Sequence, residues 1–374
     1  MLALTGKLQK HTGISFRFGG TFDKVVFVSD RNGAQDIWIM DPDGSNQQPL
    51  TRTSVRDFQP TWSPDGKRIM FVSDRSAGNA QIFVMRPDGF RQRQITSSTG
   101  AKAFPTFSPD GFNIAYLTAG RVFAVDLTGG HERPILPTAE QVQAMGMFDE
   151  NMPYRFVCWA SDSRTLGVIQ QIRNLQFAQF VPRVGDNPIV MSDPNNNPLA
   201  ANRTAIAWSK TDLKLAVALA NTSGHHLVAI SDTDTSRFQP ILNMDGEIGP
   251  DSVDWAPDGR ALAVGLARIS PEGKVDAAGV IIVDVADGSI TSIDEGEASD
   301  PRWSPDGKSI LYVLKKDDKT DIWKYDLTAK KSVNLTGGQG NNNSPAWGPT
   351  HRSADAQQIS LSSPSTDSVH RKQT

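Results

Sequence analysis

This sequence of 374 residues lacks most of the features that assign a chemistry directly. Its only cysteine is Cys158, so no internal disulfide can form, and we interpret the thiol as buried and unreactive. No run of 18 apolar residues occurs, so we predict no membrane span in this chain. The formal net charge is −3, and no basic surplus indicates a nucleic-acid partner.

Signatures of catalysis and export are also missing. No G-x-S-x-G elbow is present, and the six histidines include no H-E-x-x-H spacing, so we lean toward a protein that is not an enzyme without deciding the question. The N-terminal stretch MLALTGKLQKHTGISF lacks the basic and apolar regions of a secretory signal. The compartment therefore stays open at this point, because a signal could also lie upstream of a fragment.

What the sequence does contain is a repeat, seen most clearly at 59–75, QPTWSPDGKRIMFVSDR. Ser63-Pro64-Asp65-Gly66 has the composition of a tight turn, since Pro64 fixes φ and Gly66 accepts a positive φ. An apolar strand follows from Ile69 to Val72, and two further short strands complete a unit of four. The next copy begins about 45 residues later, which is the length of a propeller blade.

Each unit contains one aromatic residue directly before its first turn, which we call the anchor. The spacings between anchors are 45, 52, 49, 47, 48 and 44 residues, for Trp62, Phe107, Trp159, Trp208, Trp255, Trp303 and Trp347. Seven anchors predict an all-β propeller of seven blades, each a four-stranded antiparallel sheet, with six or eight blades as alternatives. We expect the strand near Trp347 to complete the first blade and so close the ring, which removes exposed sheet edges.

The domain boundaries follow from the first and last repeats. We predict an N-terminal segment at 1–21 that is partly disordered, one propeller domain at 22–350, and a polar, disordered tail at 351–374. Two connections exceed the usual length, between Leu136 and Pro153 and between Ala267 and Ala278. Long connections on a rigid scaffold often carry binding sites, although a tolerated insertion is the simpler interpretation.

The repeat resembles the TolB-like propeller family. The resemblance rests on PTWSPDGKRIMFVSDR, FPTFSPDGFNIAYL and PRWSPDGKSILYVLKKDDKTDIWKYDL, and it covers roughly 22–350. It implies a bacterial, often periplasmic or otherwise extracytoplasmic, module that binds a protein or peptide at its central channel. TolB itself is expected to have six blades after an α/β domain, so seven anchors with about 21 preceding residues indicate a TolB-like protein rather than TolB.

Related propellers also accompany peptidases, glycan-acting enzymes and membrane-bound sensors, so three functions stay open. The first is a non-catalytic, monomeric scaffold that binds a protein or peptide. The second is a module of a peptidase or glycan-acting enzyme, and the third is an extracytoplasmic sensor domain. No cofactor is expected, although the resemblance makes a calcium ion in the channel an alternative. Acidic turns such as Asp41-Pro42-Asp43-Gly44 offer oxygen ligands, but hairpin turns favour the same residues.

The residues just before each anchor differ from blade to blade, and they enter the strand beside the channel. We predict that a ligand would bind there, because mixed aromatic, charged and amide groups favour protein interfaces. The predicted binding residues are Asp57, Phe58, Gln59, Lys102, Phe104, Tyr154, Arg155, Arg203, Asp251, Asp300, Asn342 and Asn343.

A second repeated feature is the Ser-Asp-Arg triplet, at Ser29 to Arg31 and at Ser73 to Arg75. The arginines either pair locally at the ends of their strands or form a ladder that recognises acidic partners.

Overall fold

A computed structural model describes residues 23–350, except 77–78, 139, 141–152, 194, 233–236 and 271–273. The segments predicted to be disordered at 1–21 and 351–374 lie outside the described residues, as does most of the long connection before Pro153. The other long connection, after Ala267, is an extension of a hairpin in which Ala267 pairs with Ala277.

The turn that recurs in the sequence forms because its serine and aspartate bond to the backbone around them. Ser63 Oγ donates to Asp65 Oδ1 at 2.6 Å and accepts the Arg68 amide at 2.9 Å. The Gly66 amide closes the turn on the Ser63 carbonyl at 2.9 Å, with Gly66 at a φ of 66° that its missing side chain permits. The turn therefore reverses the chain tightly between the first and second strands of a blade.

The described strands form seven antiparallel sheets, which we number as blades 1 to 7. Blade 1 contains β1 (Val25–Asn32), β2 (Ala34–Met40), β3 (Gln48–Pro49) and the last strand, β29 (Asn342–Trp347). Blade 2 contains β4 (Asp57–Trp62), β5 (Ile69–Ser73), β6 (Gln81–Met85) and β7 (Arg93–Gln94). Blade 3 contains β8 (Ala103–Phe107), β9 (Asn113–Thr118), β10 (Arg121–Asp126) and β11 (Arg133–Leu136).

The remaining four blades continue in chain order. Blade 4 contains β12 (Tyr154–Trp159), β13 (Leu166–Ile172), β14 (Leu175–Val181), β15 (Ile189–Val190) and β16 (Ala200–Ala201). Blade 5 contains β17 (Arg203–Trp208), β18 (Lys214–Ala220), β19 (His225–Asp232) and β20 (Phe238–Asp245). Blade 6 contains β21 (Ile248–Trp255), β22 (Ala261–Ile269), β23 (Val275–Asp284) and β24 (Ile290–Asp294). Blade 7 contains β25 (Glu297–Trp303), β26 (Ser309–Lys316), β27 (Lys319–Asp326) and β28 (Lys331–Asn334).

The ring closes as predicted, through a blade shared between the two ends of the described chain. Strand β29 pairs antiparallel with β1, with Trp347 opposite Val25 and Ala346 opposite Val26. The prediction of seven blades with this closure is confirmed, and the alternatives of six and eight blades are excluded. Blade 4 departs from the pattern, because β15 and β16 both pair with β14 in place of a single outer strand.

The anchors join neighbouring blades. The indole nitrogen of Trp255 donates to the Ala207 carbonyl of blade 5 at 2.8 Å, and that of Trp347 donates to the Arg302 carbonyl of blade 7 at 3.2 Å. Trp255 is 1% exposed, so its ring adds a large buried apolar area between blades. These two anchors therefore connect adjacent blades and stabilise the ring.

Candidate functional site at the channel mouth

One cavity of about 1310 Å³ follows the axis of the ring between the seven inner strands. We call the end where the chain enters these strands the channel mouth. At this end the cavity is lined by Phe104, Arg155, Arg203 and Asp251, and at the other end by residues of the anchor turns such as Ser63. Four of the twelve predicted binding residues thus line a common space.

A backbone distortion shapes the mouth. In four blades the third residue before the anchor has a left-handed φ of 51° or 52° and precedes a proline; these residues are Gln59, Phe104, Asp300 and Ser344. Proline has no amide hydrogen for the ladder, so strands carry it at bulges, and the strand pairing is indeed irregular at all four places. The bulge changes the direction of the neighbouring side chains.

Phe104 is the exceptional member of this set. Its counterparts Gln59, Asp300 and Ser344 are polar, whereas Phe104 is a phenylalanine with 44% of its surface exposed. Its backbone amide donates to Gln59 Oε1 of blade 2 at 3.0 Å, which fixes the bulge across the blade boundary. Its ring meets that of Phe156 in blade 4 edge to face, with centroids 5.9 Å apart. Two aromatic rings therefore lie side by side on one wall of the cavity.

Arg155 lies next to this aromatic pair. The pairing of β12 with β13 is irregular between Tyr154 and Phe156, so Arg155 is the extra residue of a bulge. Its side chain is exposed, and its Nε donates to Gln171 Oε1 at 2.7 Å. This hydrogen bond to a neutral group orients the guanidinium, and no carboxylate among the described residues forms an ion pair with it.

The opposite side of the cavity carries arginine–aspartate pairs. Arg203 of blade 5 binds Asp251 Oδ1 of blade 6 at 2.6 Å. In blade 7, Arg302 binds Asp300 Oδ1 at 2.5 Å, and Asp300 raises the pKa of Arg302 while burial opposes that change. Asp254 Oδ2 accepts the Trp303 amide at 2.7 Å. The positive charges on this side are therefore neutralised within the protein.

Four predicted binding residues have their side chains inside the blades. They occupy the same position, the fifth before the anchor, and are at most 2% exposed: Asp57, Lys102, Tyr154 and Asn342. Asp57 Oδ2 accepts Arg75 Nη2 at 2.8 Å, and Asn342 Oδ1 accepts Arg31 Nη2 at 2.9 Å. We therefore leave these four out of the site that we propose below.

The same bonds decide between the two interpretations of the Ser-Asp-Arg triplets. The guanidinium of Arg75 lies 4.8 Å from the ring centroid of Phe83, its Nε donates to Ser73 Oγ, and its Nη1 donates to Gln92 Oε1. Arg31 makes the matching contacts in blade 1, with its guanidinium 4.5 Å from the centroid of Trp38. Both arginines pair locally and do not form a ladder.

Lys102 has an unusual structural role among the buried four. Its ammonium group donates to the carbonyls of Ser98, Thr99 and Gly100 at 2.8, 3.1 and 2.8 Å. Burial lowers the pKa of Lys102, and the nearby Glu132 acts in the opposite direction. The lysine thus holds the loop that enters β8, which places Phe104 at the mouth.

Two further predicted residues are only partly accessible. Phe58 packs against the core that blades 1 and 2 share, with the guanidinium of Arg56 5.2 Å from its ring centroid. Asn343 is half-buried, and its Oδ1 accepts the Ser344 hydroxyl at 3.0 Å. Neither side chain lines the cavity.

The cavity-lining residues that sequence reasoning missed include the aromatic Phe156 and the charged Asp254 and Arg302. Phe156 is the third residue before its anchor, and the other two directly precede theirs. Alternate residues of a strand point to the same side, so the inner-strand positions one and three before the anchor face the channel together. Counting back from the anchors in steps of two would have found them.

The acidic turns do not form a metal cluster in the part of the chain that the structure describes. Asp41 binds Lys24 and accepts Asn46 Nδ2 at 2.6 Å, and Asp43 accepts the Ser45 hydroxyl at 2.6 Å. These carboxylates therefore have partners within their own hairpin region. The calcium ion in the channel stays an untested expectation.

The similarity to known proteins agrees with this geometry. Residues 6–143 match the family model described as the TolB beta propeller domain. This chain contains a TolB-like β-propeller. The Tol-Pal system protein TolB of Geobacter metallireducens is 42% identical over 69 residues, which cover 18% of this chain and 14% of that protein. Matches of this length fit a TolB-like protein rather than TolB itself.

A longer match is found with Dipeptidyl-peptidase 5 of Porphyromonas gingivalis, which is 26% identical over 331 residues. The match covers 83% of this TolB-like chain but 45% of that protein, so the chain spans less than half the length of these curated relatives.

Solved structures share the fold at low sequence identity. TolB from Acinetobacter baumannii has a TM-score of 0.55 at 16% identity, covering 91% of this chain and 69% of that chain. A puromycin hydrolase complexed with PGG has a TM-score of 0.61 at 15% identity, and the match covers 84% of this chain and 52% of that chain. An oligogalacturonate lyase in complex with manganese has a TM-score of 0.59 at 13% identity, and the match covers 84% of this chain and 85% of that chain.

No helix among the described residues is long and apolar enough to cross a membrane.

Proposed function

We propose that this TolB-like propeller is a non-catalytic scaffold that binds a protein or peptide at the channel mouth. The observation that carries the proposal is Phe104, an exposed aromatic side chain at a backbone conformation where Gln59, Asp300 and Ser344 of other blades are polar. Exposed aromatic residues next to arginine are typical of the central contacts of protein interfaces. Within this proposal the protein acts outside the cytoplasm, as the resemblance to TolB suggests.

The surroundings of Phe104 support binding rather than simple solubility. A propeller rim needs polar groups in contact with water, and Gln59, Asp300 and Ser344 provide them in other blades. Phe104 instead places an apolar ring in the channel opening, at a strained backbone position. Such strain is frequent at functional sites and persists where the surrounding structure enforces it.

Selection from a displayed library of random linear peptides tests the proposal. Phe104→Ser copies the residue that blade 1 has at the same backbone conformation, at Ser344, so the fold should tolerate it. The control is Phe112→Ser, because Phe112 is 58% exposed and does not line the cavity. We expect the unmodified protein and the control to enrich the same peptides and Phe104→Ser to lose them. Enrichment of the same peptides by Phe104→Ser would refute binding at the mouth.

A second candidate function is a module of a peptidase, and the match to Dipeptidyl-peptidase 5 over 83% of this chain favours it. In that case the channel would admit or orient a peptide for a catalytic domain elsewhere. Purified chain should then show no hydrolysis of dipeptidyl substrates alone, but should stimulate or restrict hydrolysis by a catalytic partner added to it.

A further inference from the structure

We infer that the channel mouth recognises the free C-terminus of a peptide whose last side chain is large and apolar. This inference rests on the proposed function and names the class of ligand for the same site. Its basis is that the groups at the mouth are unevenly distributed around the ring.

The first element is an uncompensated positive charge. Arg203 and Arg302 are each bound by an aspartate within 2.6 Å, whereas no ion pair joins Arg155 to a carboxylate among the described residues. Arg155 is exposed, and within the described part of the chain it donates from Nε to Gln171, so its two Nη nitrogens can donate to a ligand. Arginine donates two parallel hydrogen bonds to a carboxylate, which fixes the orientation of that group.

The second element is an apolar contact surface on the same wall. At the third position before the anchor, blades 3 and 4 carry aromatic residues, while the other blades carry small or polar ones; the seven residues are Gln59, Phe104, Phe156, Ala205, Ser252, Asp300 and Ser344. The two rings touch, with centroids 5.9 Å apart, and Phe156 follows Arg155 directly in the chain. A ligand therefore finds apolar surface and positive charge together at blades 3 and 4.

The closeness of these groups favours a C-terminus over an internal acidic residue. In an extended peptide, consecutive side chains point to opposite faces, so an acidic residue and its apolar neighbour would diverge. The last residue of a peptide carries its carboxylate and its side chain on one Cα, and both can reach one wall. On the other side of the cavity three aspartates, Asp251, Asp254 and Asp300, outnumber the two arginines that they face, so the net negative charge there would repel further carboxylates along an acidic peptide.

Four synthetic probes separate the contributions of charge and apolar contact: N-acetyl-Ala-Ala-Phe with a free carboxylate, the same peptide as its C-terminal amide, N-acetyl-Ala-Glu-Phe amide, and N-acetyl-Ala-Ala-Ser with a free carboxylate. Isothermal titration measures the Kd of each. We expect the free acid of the Phe peptide to bind roughly tenfold to a hundredfold more tightly than its amide, as for hydrogen bonds to a charged group. The Glu peptide amide and the Ser peptide should bind as weakly as the Phe amide or more weakly.

Variants test which residues cause the preference for the free acid over the amide. Arg155→Gln should abolish the preference of acid over amide, whereas Arg56→Gln should keep it, because Arg56 is 63% exposed and lies outside the cavity lining. Phe104→Ser should weaken the acid and the amide by a similar factor of roughly ten, since it removes apolar contact and no charge.

Several results would overturn the inference. They are equal binding of acid and amide, a preference that survives Arg155→Gln, or tight binding of the Glu peptide amide. If library-selected peptides bind at Phe104 but the probes show no carboxylate preference, the proposed function stands and this inference fails. If no peptide depends on Phe104, both fail.

Discussion

Replacement of Arg75 by methionine should destabilise the protein far more than the same replacement of an arginine on the surface. Asp57 is fully buried, and its Oδ2 is bound by Arg75 Nη2 at 2.8 Å and by Thr53 Oγ1 at 3.3 Å. Arg75→Met leaves this carboxylate without its positive partner, which costs about 3–5 kcal/mol of unfolding free energy for a buried pair. The loss of the ring contacts of Arg75 adds about 0.5–1 kcal/mol.

Blade 1 supplies a matched comparison for this prediction. Arg31 has the same contacts as Arg75, but its partner is the neutral amide of Asn342, at 2.9 Å. Arg31→Met therefore leaves an unsatisfied amide oxygen, while the carboxylates that interact with Arg31, Asp321 and Asp30, are both partly exposed, so the cost is about 1–3 kcal/mol. We expect Arg75→Met to cost about 2 kcal/mol more than Arg31→Met. The double variant Asp57→Asn/Arg75→Met should regain most of that difference.

Urea denaturation followed by tryptophan fluorescence measures these free energies. Arg56→Met is the surface control, because its pair with Asp74 has 63% of the arginine side chain exposed and should contribute less than about 1 kcal/mol. Equal costs for Arg75→Met and Arg31→Met would refute the reasoning. So would a double variant no more stable than Arg75→Met, since the buried charge would then not be the cause.

Two further predictions concern blade 4. Cys158 is half-buried, and desolvation raises the pKa of its thiol to about 12, so at pH 7.5 it should react with iodoacetamide much more slowly in the folded protein than in urea. Equal rates would contradict this. Gly167→Ala would place a Cβ 2.8 Å from Trp208 Nε1 and 3.1 Å from Ile206 Cδ1, so it should cost about 1–3 kcal/mol in urea denaturation. Gly130→Ala, whose nearest neighbours lie at 3.4 Å, should cost clearly less, and an equal cost would show that close packing on Trp208 is not the reason.

The sequence predicted the fold well because the residues that build it repeat. Each anchor, each Ser-Pro-Asp-Gly turn and each apolar second strand gives a local signal with a direct physical cause. Ring closure could also be predicted, since the inner strand at Trp347 is followed by no further repeat strands and no anchor precedes β1 in the sequence; the two strands indeed pair.

The candidate site was predicted less completely, because the direction of a side chain depends on pairing and bulges. Asp57 and Phe104 lie in the inner strands of neighbouring blades, yet Asp57 points into the blade toward Arg75 while Phe104 opens on the channel. Arg75 follows β5 in the chain, so the sequence around Asp57 alone does not reveal the bond between them. Arg155 could be placed at the rim from sequence, but only the structure shows that its Nε binds the neutral Gln171 and that no described carboxylate pairs with it.

The most direct test of binding at the mouth is photo-crosslinking from defined positions. The photoreactive residue p-benzoylphenylalanine replaces Phe104 in one variant and Phe112 in another, and each is irradiated with a library-selected peptide. Both phenylalanines are exposed, at 44% and 58%, but only Phe104 lines the cavity. We expect a crosslinked product from position 104 and none from position 112. A crosslink from position 112 with none from position 104 would contradict this expectation and place the ligand away from the channel mouth.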